Sequence, residues 1–545
     1  TEMPLQPLKE AEVQAVVSSL VGEGAPAHDL ATRLFKQTDG SPYFVTEFLR
    51  NLVVESNNPN TPFILNPASL SAEDLLIPVG VRAMMQRRLD AINKQDRPLL
   101  DLIATGSHHL NIDMLMDILA TNDDDVLRSI EALLAAGIIV SQANTSPPRY
   151  HVTHRNFSDL IVSNIATESR YSLHGAIAST LAIETTDCPA VLEALGEHYR
   201  LAGVVDLAYR HLIDAAKRLA SHSLIHEASK LMARVDEIST EASATMSPEQ
   251  VALLRMESAI IHGIVAYTHG DWSRANEVYY AALRDARSLK MTKTEIDLQV
   301  RLSATSRRLG HPDRAKAYAT EARETAIQEG FQYGEAEAIY ELATHALLLG
   351  DLAGCEQLSE EGLKITTTTA LSQPRAALLL AKGNVVAIMG RLAEATRCYT
   401  TAETIFHALH ERRMSCITIC NAAELLLWQG QPTQSLTRAK HAHDLSVDIT
   451  HHQGKAVALR LIANAKMHLG EHTEADNFLT KSKQEPYSEN DDVQRLSIAV
   501  IEITLALYAK NVAQAVTVGR TALDACKTDS EQARPLIWAL IATAY

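Results

Sequence analysis

The chain has 545 residues, 46% of them apolar and 21% charged, close to the balance of globular proteins, which excludes long disordered tracts. Its length calls for more than one folding unit or for a long array. Setting 66 acidic against 50 basic residues gives a formal charge of −16, which disfavours nucleic acid and anionic membrane as partners, and no segregated basic patch offsets it.

In chain order, residues 1–72 read as helices. Segments 11–20 and 28–35 carry apolar residues at spacings of three and four, separated by a breaker at 22–27. Gly40 ends one helix, and Pro42 suits the first turn of the next, whose stripe is Phe44, Val45, Phe48, Leu49 and Leu52. Residues 73–184 change pattern, with helices expected over 81–92, 97–105, 112–119 and 125–136. Two short apolar strands, 138–141 and 149–153, flank a turn at 143–148. Small helices followed by a two-stranded wing describe a winged helix. Direct DNA reading is disfavoured, because the helix that would enter the major groove opens on Asp123, Asp124 and Asp125 and offers only Arg128 as a cation. Those aspartates are explained by capping and the helix dipole.

From 185 to 545 the chain is helical and repetitive. Gly270, Gly310, Gly350, Gly390, Gly430 and Gly470 fall 40 residues apart, and Lys510 takes the next beat. Five residues after each beat stand Ala275, Ala315, Cys355, Ala395, Ser435, Ala475 and Ala515. Twelve residues after it stand Ala282, Ala322, Gly362, Ala402, Ala442, Ser482 and Ala522. Seven before it stand Gly263, Ser303, Ala343, Gly383, Ala423, Ala463 and a misfit, Ile503. Glycine at a helix reversal takes the left-handed conformation freely, so Lys510 should mark a less strained turn. Positions five and twelve share one helix face, where small side chains let helices approach closely. Leucine at Ala395 or Ala402 should overpack that joint by about 1–3 kcal/mol.

These offsets resemble the tetratricopeptide repeat over roughly 190–545, which implies a right-handed α-solenoid, truncated at its C-terminus, whose concave face takes a protein, peptide or small ligand. A 40-residue period, against about 34 in that family, implies longer arms or longer inter-hairpin loops, as in sensor arrays similar to those of maltose-activator-type regulators. The front also resembles a definite family. Gly40-Ser41-Pro42-Tyr43-Phe44 with Glu47 looks like the helical lid of the signal-transducing ATPases with numerous domains, the STAND class. Residues 78–82, 87–89 and 150–155, with Arg170, Leu173 and His174, look like its winged helix. The resemblance implies that Pro42 abuts a nucleotide and that His154 reaches its phosphates, in the full-length protein only. No G-x-x-x-x-G-K-[ST] loop occurs in this chain. The ATPase core is therefore expected upstream of Thr1, ATP or ADP would be a cofactor of the full-length protein alone, and the fragment itself should not be an enzyme.

Other candidates carry bland readings. His407 and His410, His441 and His443, and His451 and His452 lack a metal-binding pattern and read as solvated. Trp272, Trp428, Tyr279, Tyr280 and Tyr399 could line a groove, but filling the inter-helix core explains them better. Six sparse cysteines, Cys416 and Cys420 among them one turn apart on one face, suit a reduced, cytoplasmic protein. The expected role is a bacterial sensing and regulatory fragment that oligomerises on activation, coupled to a transcriptional, kinase or cyclase output. The alternative is a protein-interaction scaffold without a nucleotide switch.

Overall fold

The computed structural model describes residues 8–21, 25–38, 40–42, 45, 46, 49, 79–106, 109–142, 147–183, 188–221, 224–367, 371–485, 492–525, 537 and 539. The chain divides into two compact units, Thr1–His211 and Leu212–Tyr545.

In the first unit, helices Glu10–Val21 and Ala25–Thr38 pair with one another. Helices Val79–Asp90, Arg97–Gly106, Ile112–Leu119 and Asp123–Ala135 follow, then strands Ile139–Gln142 and Arg149–Val152, antiparallel with Ile139 opposite Val152. Helices Arg155–Asn164, Thr167–Leu181 and Pro189–Leu201 come next. One apolar core, including Leu100, Ile103, Leu115, Leu133, Ile161 and Ile177, joins the helices to the strand pair. The helix expected from 125 begins at Asp123, because Asn122 is its cap and accepts from the Asp124 N–H at 3.4 Å. The three aspartates occupy its first turn, where they complement the dipole rather than cap. Gly40 has φ 71°, and a Cβ there would lie 2.0 Å from the Leu8 carbonyl oxygen, so glycine answers both the turn and a close backbone approach. Phe44, Glu47, Phe48 and Leu52 lie outside the described residues.

The second unit is a solenoid of antiparallel helical hairpins in which neighbouring helices pack in sequence order. Helices Trp272–Ser288, Thr292–Arg308, Pro312–Gln328 and Gln332–Leu348 each have 17 residues, as do most that follow. The extra length over a 34-residue repeat thus lies in the arms. Each beat glycine is left-handed, with φ between 74° and 84°, and Gly270, Gly310, Gly390, Gly430 and Gly470 have open space where a Cβ would stand. At Gly310 its N–H donates to the Arg307 carbonyl and the next N–H, of His311, to that of Ser306, the Schellman pattern that satisfies the last carbonyls of a helix.

Two features of the turns differ from the sequence reading. Lys510 is not in a relaxed turn: its φ is 57°, and Lys510 and Asn511 donate to Leu507 and Ala506 as in the glycine turns. Two closing hydrogen bonds offset the modest cost of a left-handed lysine. A second series, Lys290, Gly330, His410 and Thr450, sits 20 residues out of phase and is also left-handed. At these four places the connection between hairpins uses the same turn as the connections within them. Only one residue of this series is glycine, so a search for glycine spacing passes over it.

The small-residue series is the packed joint. Ala275, Cys355, Ala395, Ser435, Ala475 and Ala515 are fully buried. Ser435 and Ser482 donate to the Ala423 and Ala456 carbonyls at 2.7 Å, which explains serine at two otherwise apolar positions. Where the position seven before the beat is glycine, the position nine after it is tyrosine. A Cβ on Gly263 would stand 2.2 Å from the Tyr279 ring, and one on Gly383 2.5 Å from the Tyr399 ring. In the last hairpin the exchange is reversed, with buried Ile503 before the beat and buried Gly519 after it. We expect Gly383→Ala to destabilise the protein by about 1–3 kcal/mol through overpacking. Urea denaturation should show the loss, and adding Tyr399→Ala should cost less than the two single changes summed. Strict additivity would show that ring and glycine do not compete for one volume.

Candidate functional site

In the second unit the first arms of successive hairpins turn one face into a common groove with a cavity volume of about 820 Å³. Its lining repeats with the beat. Thirteen residues before each turn stand Glu257, Asp297, Glu337, Ala377 and Ile417. Six before stand Ile264, Ala304, Thr344 and Asn384, and seventeen before stand Lys293, Gln373 and Arg413. One wall is apolar, with Ile260, Ile261, Ile264, Val300, Leu380 and Met414. Helix Pro248–Thr268 is long and apolar enough to cross a membrane by length and composition. Its apolar residues divide between this wall and the hairpin joint, where Leu254, Met256, Ile261 and Ala266 are buried.

The charged wall is partly self-compensated. Arg301 donates to Asp297 at 2.8 Å, Arg307 to Glu341 at 3.3 Å, and Lys217 lies 3.6 Å from Glu257. Burial and the neighbouring Asp297 push Glu337 up to about 7, against the pull of Arg301. Burial likewise raises Glu411, against Arg413. Two arginines of the lining make neither an ion pair nor a hydrogen bond among the described residues. Arg308 lies over the Trp272 ring at 5.4 Å and Arg413 over the Tyr267 ring at 5.1 Å. Both bury an Nε without a partner. Burial should raise the Tyr267 phenol, yet Arg308, Arg413 and Arg307 bring it down to about 8. His451, almost wholly buried in the lining, is held neutral by burial and by Arg413 and Arg308, at about 3. On the adjacent wall the Asn384 Oδ1 accepts from Asn421 and from the Tyr399 hydroxyl, each at 2.8 Å. Its amide nitrogen has no protein acceptor among the described residues.

The residues singled out from sequence are spread through the molecule. Pro42 is half-buried, and its carbonyl accepts from the Thr46 hydroxyl at 2.7 Å. His154 holds the N-cap position of helix Arg155–Asn164 without a side-chain capping bond. Neither lines the groove. Gly270, Gly310, Gly350, Gly390, Gly430 and Gly470 shape the turns and carry no chemistry. Of the aromatics, Trp272, Tyr279 and Tyr399 are buried in the joints, Tyr279 also facing the groove, whereas Tyr280 and Trp428 are exposed. Cys416 and Cys420 are buried on one helix face, and the hydrogen bond with Cys416, then burial, pushes the Cys420 thiol up. Among the described residues no three His, Cys, Asp or Glu side chains converge as metal ligands. The arginines went unnoticed in sequence because no motif marks them. Counting thirteen and seventeen residues back from each glycine would have found Asp297, Glu337 and Arg413.

No protein-family model matches the chain, and no curated protein matches it. Among solved structures the chain is similar to a signal transduction ATPase with numerous domains bearing a tetratricopeptide repeat sensor, from Pyrococcus horikoshii. Identity is 12%, coverage 99% of this chain and 75% of that one, and the TM-score 0.49. It is also similar to a Rap protein complexed with competence and sporulation factor, at 10% identity, 69% and 92% coverage and TM-score 0.42. A third is the apo quorum sensor NprR from B. thuringiensis, at 11% identity, 66% and 98% coverage and TM-score 0.44.

Proposed function

We propose that this chain is the sensing part of a signal-transducing protein and that its ligand, a peptide, a protein segment or a small effector, binds in the first-arm groove. The observation that carries this reading is the concentration of unpartnered polar groups there: Arg308, Arg413 and the Asn384 amide beside an apolar wall, in a volume suited to a small ligand. A thermal-shift screen of short peptides and small organic solutes tests it. Stabilising solutes should lose their effect in at least one of Asn384→Ala, Arg308→Gln and Arg413→Gln, and stabilisation that survives all three changes would defeat the reading.

The finer proposal couples groove occupancy to nucleotide state through Pro42 and His154 in the full-length gene product, in the cytoplasm, where the thiols of Cys355, Cys398, Cys416 and Cys420 stay free. The helices and strand pair of the first unit would then act as lid and winged helix, and their basis is the sequence resemblance. Replacing Pro42 and His154 by alanine in the full-length product should weaken ATP binding. Unchanged affinity in both variants would leave a plain interaction scaffold.

A further inference from the structure

The groove is cationic at one place in a chain whose formal charge is −16. An unpaired guanidinium in a water-poor cleft is costly. Here two lie side by side in their action: Arg308 and Arg413 both bear on Tyr267 and on His451. Arg307, the third cation of the cluster, is already held by Glu341 at 3.3 Å. Arg308 and Arg413 thus remain without an ion-pair partner among the described residues, Glu411 acting on Arg413 only at longer range. Three donors meet here: the two guanidiniums and the Tyr267 hydroxyl, which has no hydrogen-bond partner among the described residues. His451 adds a buried ring whose Nδ1 edge is turned to Gly454, since a Cβ there would come within 2.5 Å of it. Beside this cluster Ile260, Ile264, Leu380 and Met414 line space for an organic body.

We infer that the groove binds a small organic phosphate monoester, its phosphate held by Arg308, Arg413 and the Tyr267 hydroxyl, and its carbon skeleton on the apolar wall. This rests on the reading of the groove as the sensing site and names its ligand class. A phosphate monoester carries about two negative charges above a pKa near 6 and three acceptor oxygens, which matches two free guanidiniums and one hydroxyl. A carboxylate carries one charge and leaves one guanidinium uncompensated. The groups around Tyr267 are Arg307, Arg308, Arg413, Glu341, Tyr340 and Tyr279. Its phenol ionises near pH 8 and would then repel the ligand. Binding is therefore strongest between the second phosphate ionisation and that of Tyr267.

Calorimetric titration of the full chain with phenyl phosphate, benzoate, inorganic phosphate and a phosphoserine hexapeptide tests this. Phenyl phosphate should bind at least about tenfold tighter than benzoate, with inorganic phosphate competing, and Arg308→Gln or Arg413→Gln should each weaken it about tenfold or more. Arg438→Gln, outside the cavity, should not. Affinity should fall above pH 8, and Tyr267→Phe should abolish that fall. Because neither arginine makes an ion pair or hydrogen bond among the described residues, both glutamine variants should keep or raise the melting temperature, which separates lost binding from lost folding. Tighter binding of the phosphoserine peptide than of phenyl phosphate would overturn the small-molecule assignment. Equal binding of phenyl phosphate and benzoate, or indifference to both arginine changes, would overturn the phosphate assignment. Solutes of other chemistry that lose their effect in Asn384→Ala, with no phosphate response, would leave the groove reading intact and this one refuted.

Discussion

Arg307→Ala is expected to destabilise the second unit by about 3 kcal/mol or more, because it strands a buried carboxylate. Glu341 is 5% exposed, and Arg307 is its ion-pair partner at 3.3 Å. Removing the guanidinium leaves Glu341 beside a neutral Tyr340 and close to Glu337, a carboxyl already pushed up to about 7. The attraction within the pair does not set the loss, since removing both charges is often neutral. Arg307→Ala with Glu341→Leu should therefore recover most of what the single change removes. Urea denaturation of the two variants decides it: a double variant as unstable as the single would mean that the arginine acts through packing of its stem.

Acidification should weaken the first unit through a histidine pair. His174 and His198 are both buried, with their Nδ1 atoms 2.8 Å apart, so one donates and the other accepts. Burial, then His174 and His109, hold His198 down at about 3. Burial, with Arg170 the next contributor, lowers His174 as well. Unfolded histidine takes a proton near 6.5, whereas the folded pair stays neutral. Stability is thus fully present above about pH 6.5 and falls as pH drops toward the folded value. His198 alone should cost about 2 kcal/mol between pH 6.5 and 5, at about 1.4 kcal/mol per pH unit. Glu337, raised to about 7, acts in the opposite sense, since its contribution shrinks as pH rises from 4.5 to 7. The readout is accordingly the difference between the wild type and His198→Asn in thermal denaturation at pH 7, 6 and 5. Parallel curves would show that this pair does not set the acid response.

How much was legible depended on how local each signal was. A left-handed turn needs a particular residue at a particular place, so Gly310 and its companions showed the solenoid and its phase directly. The exchange of Gly383 for room around Tyr399 was half visible, because the offsets were in view but not the facing partner. The groove was hidden for a different reason. Arg301, Glu337 and Asn384 come from three helices, each unremarkable by itself, and become one surface only when the hairpins stack. Their charges also conceal them, since exposed arginines and glutamates in helices are ordinary, and only the lack of a partner at Arg308 and Arg413 sets those two apart. The half-period turns were missed because Lys290, His410 and Thr450 obey the geometry without the residue that usually announces it.

Turns of one geometry both within the hairpins and at Lys290, Gly330, His410 and Thr450 between them give the array a parity. Any helix with its turn could be spliced next to any other, and the local hydrogen bonding would accept it. The faces would not: an odd insertion would exchange inner and outer layers for everything downstream of it, carrying Arg413 and Asn421 to the outside and leaving Asn384 without its amide donor. Growth and loss of this array are thus confined to even numbers of helices. The 40-residue interval is the smallest step that keeps the binding face on the same side.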